Sequence, residues 1–208
     1  MPYTYPYPRP ALTADAVVFT IQDQQLQVLL IQRAAEPFKG FWALPGGFVE
    51  EGETTADAVR RELEEEAGVR DVSFDQLRTF DAPGRDPRGW IVTVAYLALI
   101  DAARVHPVAA DDAADARWWP AADLPPIAGD HEAIIGSGLE RMRAKQRISV
   151  IGSQLLAPLF TMEALRRVHE AVLDHTLDPI VFEKHVLDSG AIRDSGPKLY
   201  AFVRRDAV

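Results

Sequence analysis

The sequence contains no cysteine among its 208 residues. It can therefore form no disulfide and offers no thiolate as a nucleophile or metal ligand, which fits a cytoplasmic location. No apolar run approaches the roughly 18 residues that a membrane span needs. Residues 1–6 also lack the basic and apolar stretches of a secretory signal. These absences predict a cytoplasmic protein that does not enter the membrane.

Positive charge is also scarce, because the formal net charge is −9 at pH 7. This balance disfavours non-specific binding to nucleic acid. Apolar residues make up 48% and charged residues 25% of the chain, as is usual for a globular protein with a substantial core. The length allows one small domain together with an additional unit.

The first 128 residues have the pattern of a sheet that is interrupted by one helix. Prolines at positions 2, 6, 8 and 10 predict an extended arm over residues 1–12. A helix is predicted over 54–67, after a sharp turn at Gly46 and Gly47. Branched and aromatic residues predict strands over 14–21, 26–32, 72–80, 90–100 and 116–119.

The rest of the chain is mainly helical in pattern. Ile135, Leu139 and Met142 form an apolar stripe at i, i+4 and i+7 of one helix. Thr161 and Asp178 are suited to cap two further helices, and a short strand is predicted over 199–203. We therefore predict a domain over residues 1–128, a linker helix over 129–148 and a second domain over 149–208.

Residues 47–69 carry the densest chemical signal. On the predicted helix, Glu62, Glu65 and Glu66 stand at i, i+3 and i+4, so they lie within roughly 5–6 Å of one another. Like charges this close repel each other, and a divalent cation such as Mg²⁺ relieves that repulsion through oxygen ligands. A solvated acidic helix face would explain the three glutamates alone. It would not explain the glycine, glutamate and arginine at fixed spacing around them.

Two further features support a metal site. Arg61 lies beside the glutamates and can pair with Glu53 or with a ligating carboxylate, which would orient it. Gly46 and Gly47 allow the backbone to approach a metal ion or a phosphate group closely. The pattern therefore combines metal ligands with their supporting residues.

This segment is identified as a Nudix box, and the chain resembles the Nudix hydrolase superfamily over about residues 12–128. The resemblance implies an α/β fold, an α/β/α sandwich with a mixed sheet. It also implies Mg²⁺- or Mn²⁺-dependent hydrolysis of a nucleoside diphosphate linked to another moiety. It makes Glu62, Glu65 and Glu66, together with Gly46, the metal site, and either Glu65 or Glu66 the general base. Glu53 and Arg61 become the supporting catalytic pair.

The substrate side is predicted from a loop and two isolated residues. Arg85 and Arg88 lie on a Gly- and Pro-rich loop and suit a phosphate or ribose contact, although a surface loop with a local Arg–Asp pair fits the same pattern. This segment resembles Nudix proteins related to ADP-ribose pyrophosphatases, so ADP-ribose or a nucleoside diphosphate sugar is the expected substrate. We add Arg33, Trp42 and Gly47 to the substrate-binding set, while an aromatic residue at 42 equally suits packing.

The layout of the chain resembles NrtR-type Nudix-related transcriptional regulators of NAD metabolism, which sense ADP-ribose and carry a C-terminal winged helix. It implies a winged-helix-like α+β domain whose candidate DNA contacts are Lys184, His185, Lys198 and Arg143. An appendage used for dimerisation is the alternative, and a homodimer is the default expectation. A Nudix hydrolase is the principal hypothesis because the box is intact. An ADP-ribose-sensing, DNA-binding regulator is the alternative hypothesis.

Overall fold

The computed structural model describes residues 5–23, 25–101, 107, 113–144 and 155–203. The strands are β1 (Ala11–Gln22), β2 (Gln25–Arg33), β3 (Trp42–Ala43), β4 (Gly46–Phe48), β5 (Asp75–Phe80), β6 (Ile91–Leu99), β7 (Ala113–Pro120), β8 (Ile192–Gly196) and β9 (Leu199–Phe202). The helices are α1 (Thr55–Ala67), α2 (His131–Ala144), α3 (Met162–Leu173) and α4 (Pro179–Asp188). Residues 145–148 of the predicted linker helix lie outside the described ranges.

Seven strands form one mixed sheet. Its main path runs β3-β2-β1-β6-β5, while β4 pairs with β1 and β7 pairs with β2. The pairing of β1 with β6 is parallel, and the other pairings of this sheet are antiparallel. The mixed sheet implied by the family resemblance is thus confirmed.

Helices cover both faces of the sheet. Val17 and Phe19 of β1 point to the face that packs against α2, while the alternating residues Ala16 and Val18 point to the face that packs against α1. Gly138 brings α2 close to the sheet, because a Cβ at this position would lie 2.9 Å from the nearest methyl carbon of Val17. The arrangement of helix, sheet and helix is the predicted α/β/α sandwich.

Local capping fixes the ends of α1. The Thr54 side chain accepts a hydrogen bond from the backbone of Asp57, and the Asp57 side chain accepts one from the backbone of Thr54, which forms a capping box. The helix ends at Gly68, whose left-handed φ of 66° suits glycine. The predicted helix over 54–67 therefore agrees with α1, within the one residue that serves as the cap.

The C-terminal residues combine α3, α4 and the β8–β9 hairpin. Phe160, Leu165, Phe182, Val186 and Ile192 form a separate buried cluster between these elements. Helix α3 also reaches the first part of the chain, because its Val168 and Val172 belong to the cluster beneath α2. The α+β order predicted for this region is present.

The N-terminal strand starts earlier than predicted. The sequence pattern assigned residues 1–12 to an extended arm, whereas β1 begins at Ala11. The reason is strand pairing, since Ala11 and Leu12 lie in parallel register with Ile91 and Val92. The backbone N–H of Ala11 also donates to the carbonyl of Trp90 at 2.9 Å. Among the described residues, no helix is both long and apolar enough to cross a membrane.

Candidate active site

Packing of α1 determines where its glutamates lie. Val59, Leu63 and Ala67 are buried against the sheet, so the helix cannot rotate without exposing them. The three glutamates therefore remain on the flank of α1 beside the turn at Gly46 and Gly47. The structure brings them together with the two residues predicted to support them.

Arg61 is the centre of a hydrogen-bonded network. It donates from Nε and Nη2 to both carboxylate oxygens of Glu53, at 2.8 and 3.1 Å. Its Nη1 donates to Glu62 at 2.8 Å and to Glu65 at 3.1 Å. The hydrogen bond from Arg61 is the largest cause of a lowered pKa at Glu53. The two sequence alternatives for Arg61 therefore coexist, because it pairs with Glu53 and with two of the candidate ligands.

Glu66 has a different environment from its neighbours. Its Oε2 accepts a hydrogen bond from the backbone N–H of Gly46 at 2.9 Å. The pKa of the Glu66 carboxyl is raised to about 8, mainly by burial and in smaller part by the negative charges of Glu62 and Asp15. Burial also raises the pKa of Glu62, although Arg61 opposes that shift. Both carboxylates would thus gain from a nearby cation.

The two glycines of the turn leave no room for side chains. A Cβ at Gly47 would collide with the carboxylate of Glu62, and a Cβ at Gly46 would collide with the carboxylate of Asp15 and the carbonyl of Ala14. The backbone therefore lies directly against the acidic groups. This close approach agrees with the sequence argument for glycine at both positions.

The donor set fits a hard divalent cation in its chemistry. Carboxylate oxygens are the groups that Mg²⁺ and Mn²⁺ prefer, and the raised pKa of Glu66, caused mainly by burial, indicates a carboxylate whose charge a cation would stabilise. Among the described residues, however, no three His, Asp or Glu side chains converge as a ready-made metal site. Arg61 now bridges Glu62 and Glu65. A shared cation would replace those hydrogen bonds.

A small, open pocket lies between the end of β2, the loop at residues 85–88 and the start of α2. It contains all three of the arginines that the sequence analysis proposed for substrate binding. Because three arginines face two aspartates there, the pocket suits an anionic ligand. We call it the arginine pocket, and its polar and aromatic lining is Arg33, Phe38, Arg85, Asp86, Arg88, Asp130 and His131.

Each arginine of the pocket is held by an acceptor of the protein. Arg85, whose side chain is only 5% exposed, pairs with both oxygens of Asp130 at 2.8 and 2.7 Å. Arg88 pairs with Asp86, and the hydrogen bond between them is the main cause of a raised pKa at Arg88. Arg33 donates from Nε to the carbonyl of Pro37 at 2.8 Å. The local Arg–Asp pair considered from the sequence exists at Arg88, whereas Arg85 reaches the start of α2.

Trp42 does not line the arginine pocket. It is 7% exposed and packs edge-on against Trp119, with ring centroids 5.1 Å apart, and Arg117 lies over its ring. Trp42 therefore takes the packing role that the sequence left open. The aromatic residue at the pocket is Phe38, which the sequence analysis did not single out. Its only sequence signal was its position in the turn after Arg33.

Two further polar residues near this pocket, Asp15 and His131, were given no role in the sequence analysis. The Nδ1 atom of His131 accepts a hydrogen bond from the backbone N–H of Leu44 at 3.0 Å. Burial lowers the pKa of His131, so the imidazole is neutral at pH 7 and carries its proton on Nε2. His131 thereby connects the first residue of α2 to the segment that leads into the glycine turn.

The candidate DNA contacts are spread over three elements. Lys184 and His185 are exposed on α4, and Lys198 lies in the β8–β9 turn with a φ of 59°. Arg143 of α2 donates from Nε to the carbonyl of Val172 at 3.0 Å, so it joins α2 to α3. The start of α4 exposes apolar rather than cationic side chains, since Ile180 is 80% exposed.

A family model described as the NUDIX domain matches residues 11–136. The "ADPR responsive transcriptional repressor NtrR" of Acinetobacter baylyi is 33% identical over 193 residues, which cover 91% of this chain and 77% of that protein. The "ADP-ribose pyrophosphatase" of Methanocaldococcus jannaschii is 40% identical over 129 residues, which cover 62% of this chain and 73% of that protein.

Solved structures resemble both the domain and the whole layout. A MutT/nudix family protein from Enterococcus faecalis has a TM-score of 0.81 at 32% identity and covers 97% of this chain and 89% of its own. NrtR of Shewanella oneidensis in complex with a 27mer DNA has a TM-score of 0.77 at 36% identity. The match covers 92% of this chain and 93% of the NrtR chain. The NUDIX domain of that NrtR in complex with ADP ribose has a TM-score of 0.59 at 41% identity. The match covers 65% of this chain and 90% of the NrtR domain.

Proposed function

The chain belongs to the NUDIX family, and from this premise we propose that it hydrolyses the pyrophosphate of ADP-ribose or a related nucleoside diphosphate sugar with the help of Mg²⁺ or Mn²⁺. One observation carries the proposal. Residues 44–46 contact both parts of the site, because the backbone N–H of Leu44 donates to His131 of the arginine pocket at 3.0 Å and that of Gly46 donates to Glu66 of the Nudix box at 2.9 Å. The cations suited to a diphosphate therefore lie close to the carboxylates suited to a metal ion. One ligand can span both.

Within this proposal, Glu62, Glu65 and Glu66 would hold the metal ion beside the backbone of Gly46. When bound, the ion offsets phosphate charge and makes a water molecule more acidic. Glu66 or Glu65 takes the proton of the attacking water. Glu53 is unsuited to that task, because its pKa is lowered by Arg61; its role is to hold Arg61 in place.

Binding of the ligand is assigned to the arginine pocket. Arg85 and Arg88 are oriented by Asp130 and Asp86, so little side-chain entropy is lost when they meet a diphosphate. The half-buried ring of Phe38 lines the same pocket and suits a ribose or base. The names of two relatives agree with this ligand, since one is called an ADP-ribose pyrophosphatase and the other was solved with ADP ribose.

The test is hydrolysis of ADP-ribose in the presence of Mg²⁺ by the wild type and by Glu66→Gln and Glu65→Gln. We expect at least one of the two variants to lose about a hundredfold in rate, because an oriented proton acceptor contributes about that much. Glu64→Gln is the matched control. Glu64 lies on the same helix but pairs with Arg70 outside the box, so the control should keep the wild-type rate. Wild-type rates in both test variants would contradict the proposal.

A second function is favoured by one specific observation. The similarity to DNA-bound NrtR covers 92% of the chain, so it extends well beyond the NUDIX match at residues 11–136 and into the C-terminal region. We therefore also propose that residues 149–208 form a winged-helix-like unit that binds DNA, joined through a linker helix over 129–148 to a Nudix domain over 1–128. A protein of this kind can both hydrolyse ADP-ribose and respond to it.

DNA binding can be tested separately from hydrolysis. The full chain is titrated against fluorescent DNA from the region upstream of its own gene, at several salt concentrations and with or without ADP-ribose. Lys184→Ala and Lys198→Ala should weaken binding and flatten its salt dependence, because each removes one phosphate-directed cation. Sedimentation of the same samples tests the proposed homodimer. Absence of binding at low salt would exclude the second function.

A further inference from the structure

Asp15 is a buried carboxylate outside the Nudix box. It lies in the middle of β1, is 5% exposed, and accepts a hydrogen bond from the hydroxyl of Thr93 at 2.5 Å. The neighbouring residues of this strand are Ala14, Ala16 and Val17, all fully buried. A charged group among such neighbours costs stability, so its presence calls for a role beyond packing.

On one side, Asp15 lies against the metal half of the site. It pairs with Gly46 in the register of β1 and β4, and its Oδ1 occupies the space that a side chain at Gly46 would need. The backbone N–H of the same glycine donates to Glu66. The carboxylates of Asp15 and Glu66 therefore lie on either side of one residue, and their charges repel each other.

On the other side, Asp15 lies near the arginine pocket. Its register partner Gly46 follows Leu44 by two residues, and the backbone N–H of Leu44 donates to His131 of the pocket. Arg88 of the pocket lies over the ring of Phe48, which pairs with Thr13 of the same strand as Asp15. Its negative charge favours the protonated forms of Arg88 and His131, two residues that line the pocket. Asp15 thus lies between groups that attract a cation and groups that attract an anion.

We propose that Asp15 is a positioning residue that makes diphosphate binding in the arginine pocket depend on a divalent cation at the Nudix box. This inference rests on the proposed function. Without the cation, the charge of Asp15 repels the phosphate groups of a ligand. A bound cation offsets that charge, and Asp15 in turn strengthens the binding of the cation.

Loss of the Asp15 charge should change the affinities for the cation and for ADP-ribose in opposite directions. In Asp15→Asn, which keeps an acceptor for Thr93, the Kd for Mn²⁺ should rise about tenfold. Free Mn²⁺ is measured by its electron paramagnetic resonance signal, without turnover. The Kd for ADP-ribose in the presence of EDTA, measured by calorimetry, should fall by about threefold. Damage to the fold would weaken both interactions, so the opposite signs identify an electrostatic role.

Thr20→Val is the matched control, since Thr20 is a fully buried residue of the same strand whose hydroxyl donates to the carbonyl of Ile100. It should change neither Kd. If Asp15→Asn does not fold, Asp15→Ser replaces it, with the same expected shifts. Weaker binding of both ligands by Asp15→Asn, or Kd values within about twofold of the wild type, would overturn the inference. A wild type that binds neither ligand would instead refute the proposed function.

Discussion

The Nudix box and the arginine pocket compensate their charges in different ways. In the box, one guanidinium, that of Arg61, serves three carboxylates on or beside a single capped helix. In the pocket, each arginine has its own acceptor, and these acceptors come from separate segments of the chain. The comparison indicates that the geometry of the Nudix box is determined by one capped helix. The geometry of the arginine pocket depends on how the loop at residues 85–88 contacts the start of α2.

The largest effect is expected from filling the space at Gly47. A Cβ in Gly47→Ala would collide with the carboxylate of Glu62 and displace one candidate ligand. Hydrolysis of ADP-ribose should fall by about a hundredfold. Gly136→Ala on α2 is the control, because a Cβ there meets no atom within 4 Å. Equal rates for the two variants would show that the box tolerates displacement and is less rigid than the comparison requires.

The second largest effect is expected in the arginine pocket, whose residues come from separate segments of the chain. Arg85→Met removes a cation from the pocket and leaves Asp130 without its buried partner. ADP-ribose affinity should fall about tenfold, and the free energy of unfolding by about 2 kcal/mol. Arg70→Met removes an exposed ion pair with Glu64 and should cost no more than about 0.5 kcal/mol. Calorimetry and urea unfolding distinguish these outcomes, and unchanged affinity in Arg85→Met would remove Arg85 from the site.

The two halves also differ in how far the sequence could predict them. The glutamates, Arg61 and Glu53 stand within one short segment, and helical periodicity brings them together. Arg33, Arg85 and Arg88 could be proposed one at a time, but the partner of Arg85 lies 45 residues further along the chain. No local pattern reports such a contact. The pocket was therefore predicted as single residues and not as an assembly.

Two positions show the physical reason for this limit. Trp42 and Phe38 are both aromatic, and both follow β2 closely in the sequence. Tertiary packing alone distinguishes them, because it buries Trp42 against Trp119 and Arg117 and leaves Phe38 at the pocket. Asp15 had a weak signal, as an acidic residue within an apolar strand. Its neighbours Gly46 and Thr93 come from other strands, so its role required the register of the sheet.

A smaller effect, on stability as a function of pH, is expected from His131. This residue of the arginine pocket accepts a hydrogen bond from Leu44, which precedes the glycine turn of the Nudix box. Because burial lowers its pKa in the folded protein, the unfolded chain binds a proton first as the pH falls through about 6.5. Stability should therefore decrease below that pH, by at most about 1.4 kcal/mol per pH unit. His131→Asn keeps an acceptor for Leu44 and should lose less stability between pH 7.5 and 5.5, as measured by urea unfolding. An identical pH dependence would contradict this assignment.

The smallest effect concerns the contact of α2 with α3. Arg143→Met removes the hydrogen bond to the carbonyl of Val172, and the free energy of unfolding should fall by about 1 kcal/mol. Arg141→Met, which alters an exposed residue of the same helix turn, should change it by no more than about 0.5 kcal/mol. Equal stability of the two variants would show that the hydrogen bond of Arg143 does not stabilise the contact between α2 and α3.

If the Nudix box and the arginine pocket form one site for a nucleoside diphosphate, the protein should cleave ADP-ribose between its two phosphorus atoms. Phosphorus NMR of ADP-ribose incubated with the wild-type protein and Mg²⁺ measures this cleavage. We expect the two pyrophosphate resonances to disappear and two monophosphate resonances, from AMP and ribose 5-phosphate, to replace them. Pyrophosphate resonances that persist at high protein concentration, neither cleaved nor broadened by binding, would contradict it.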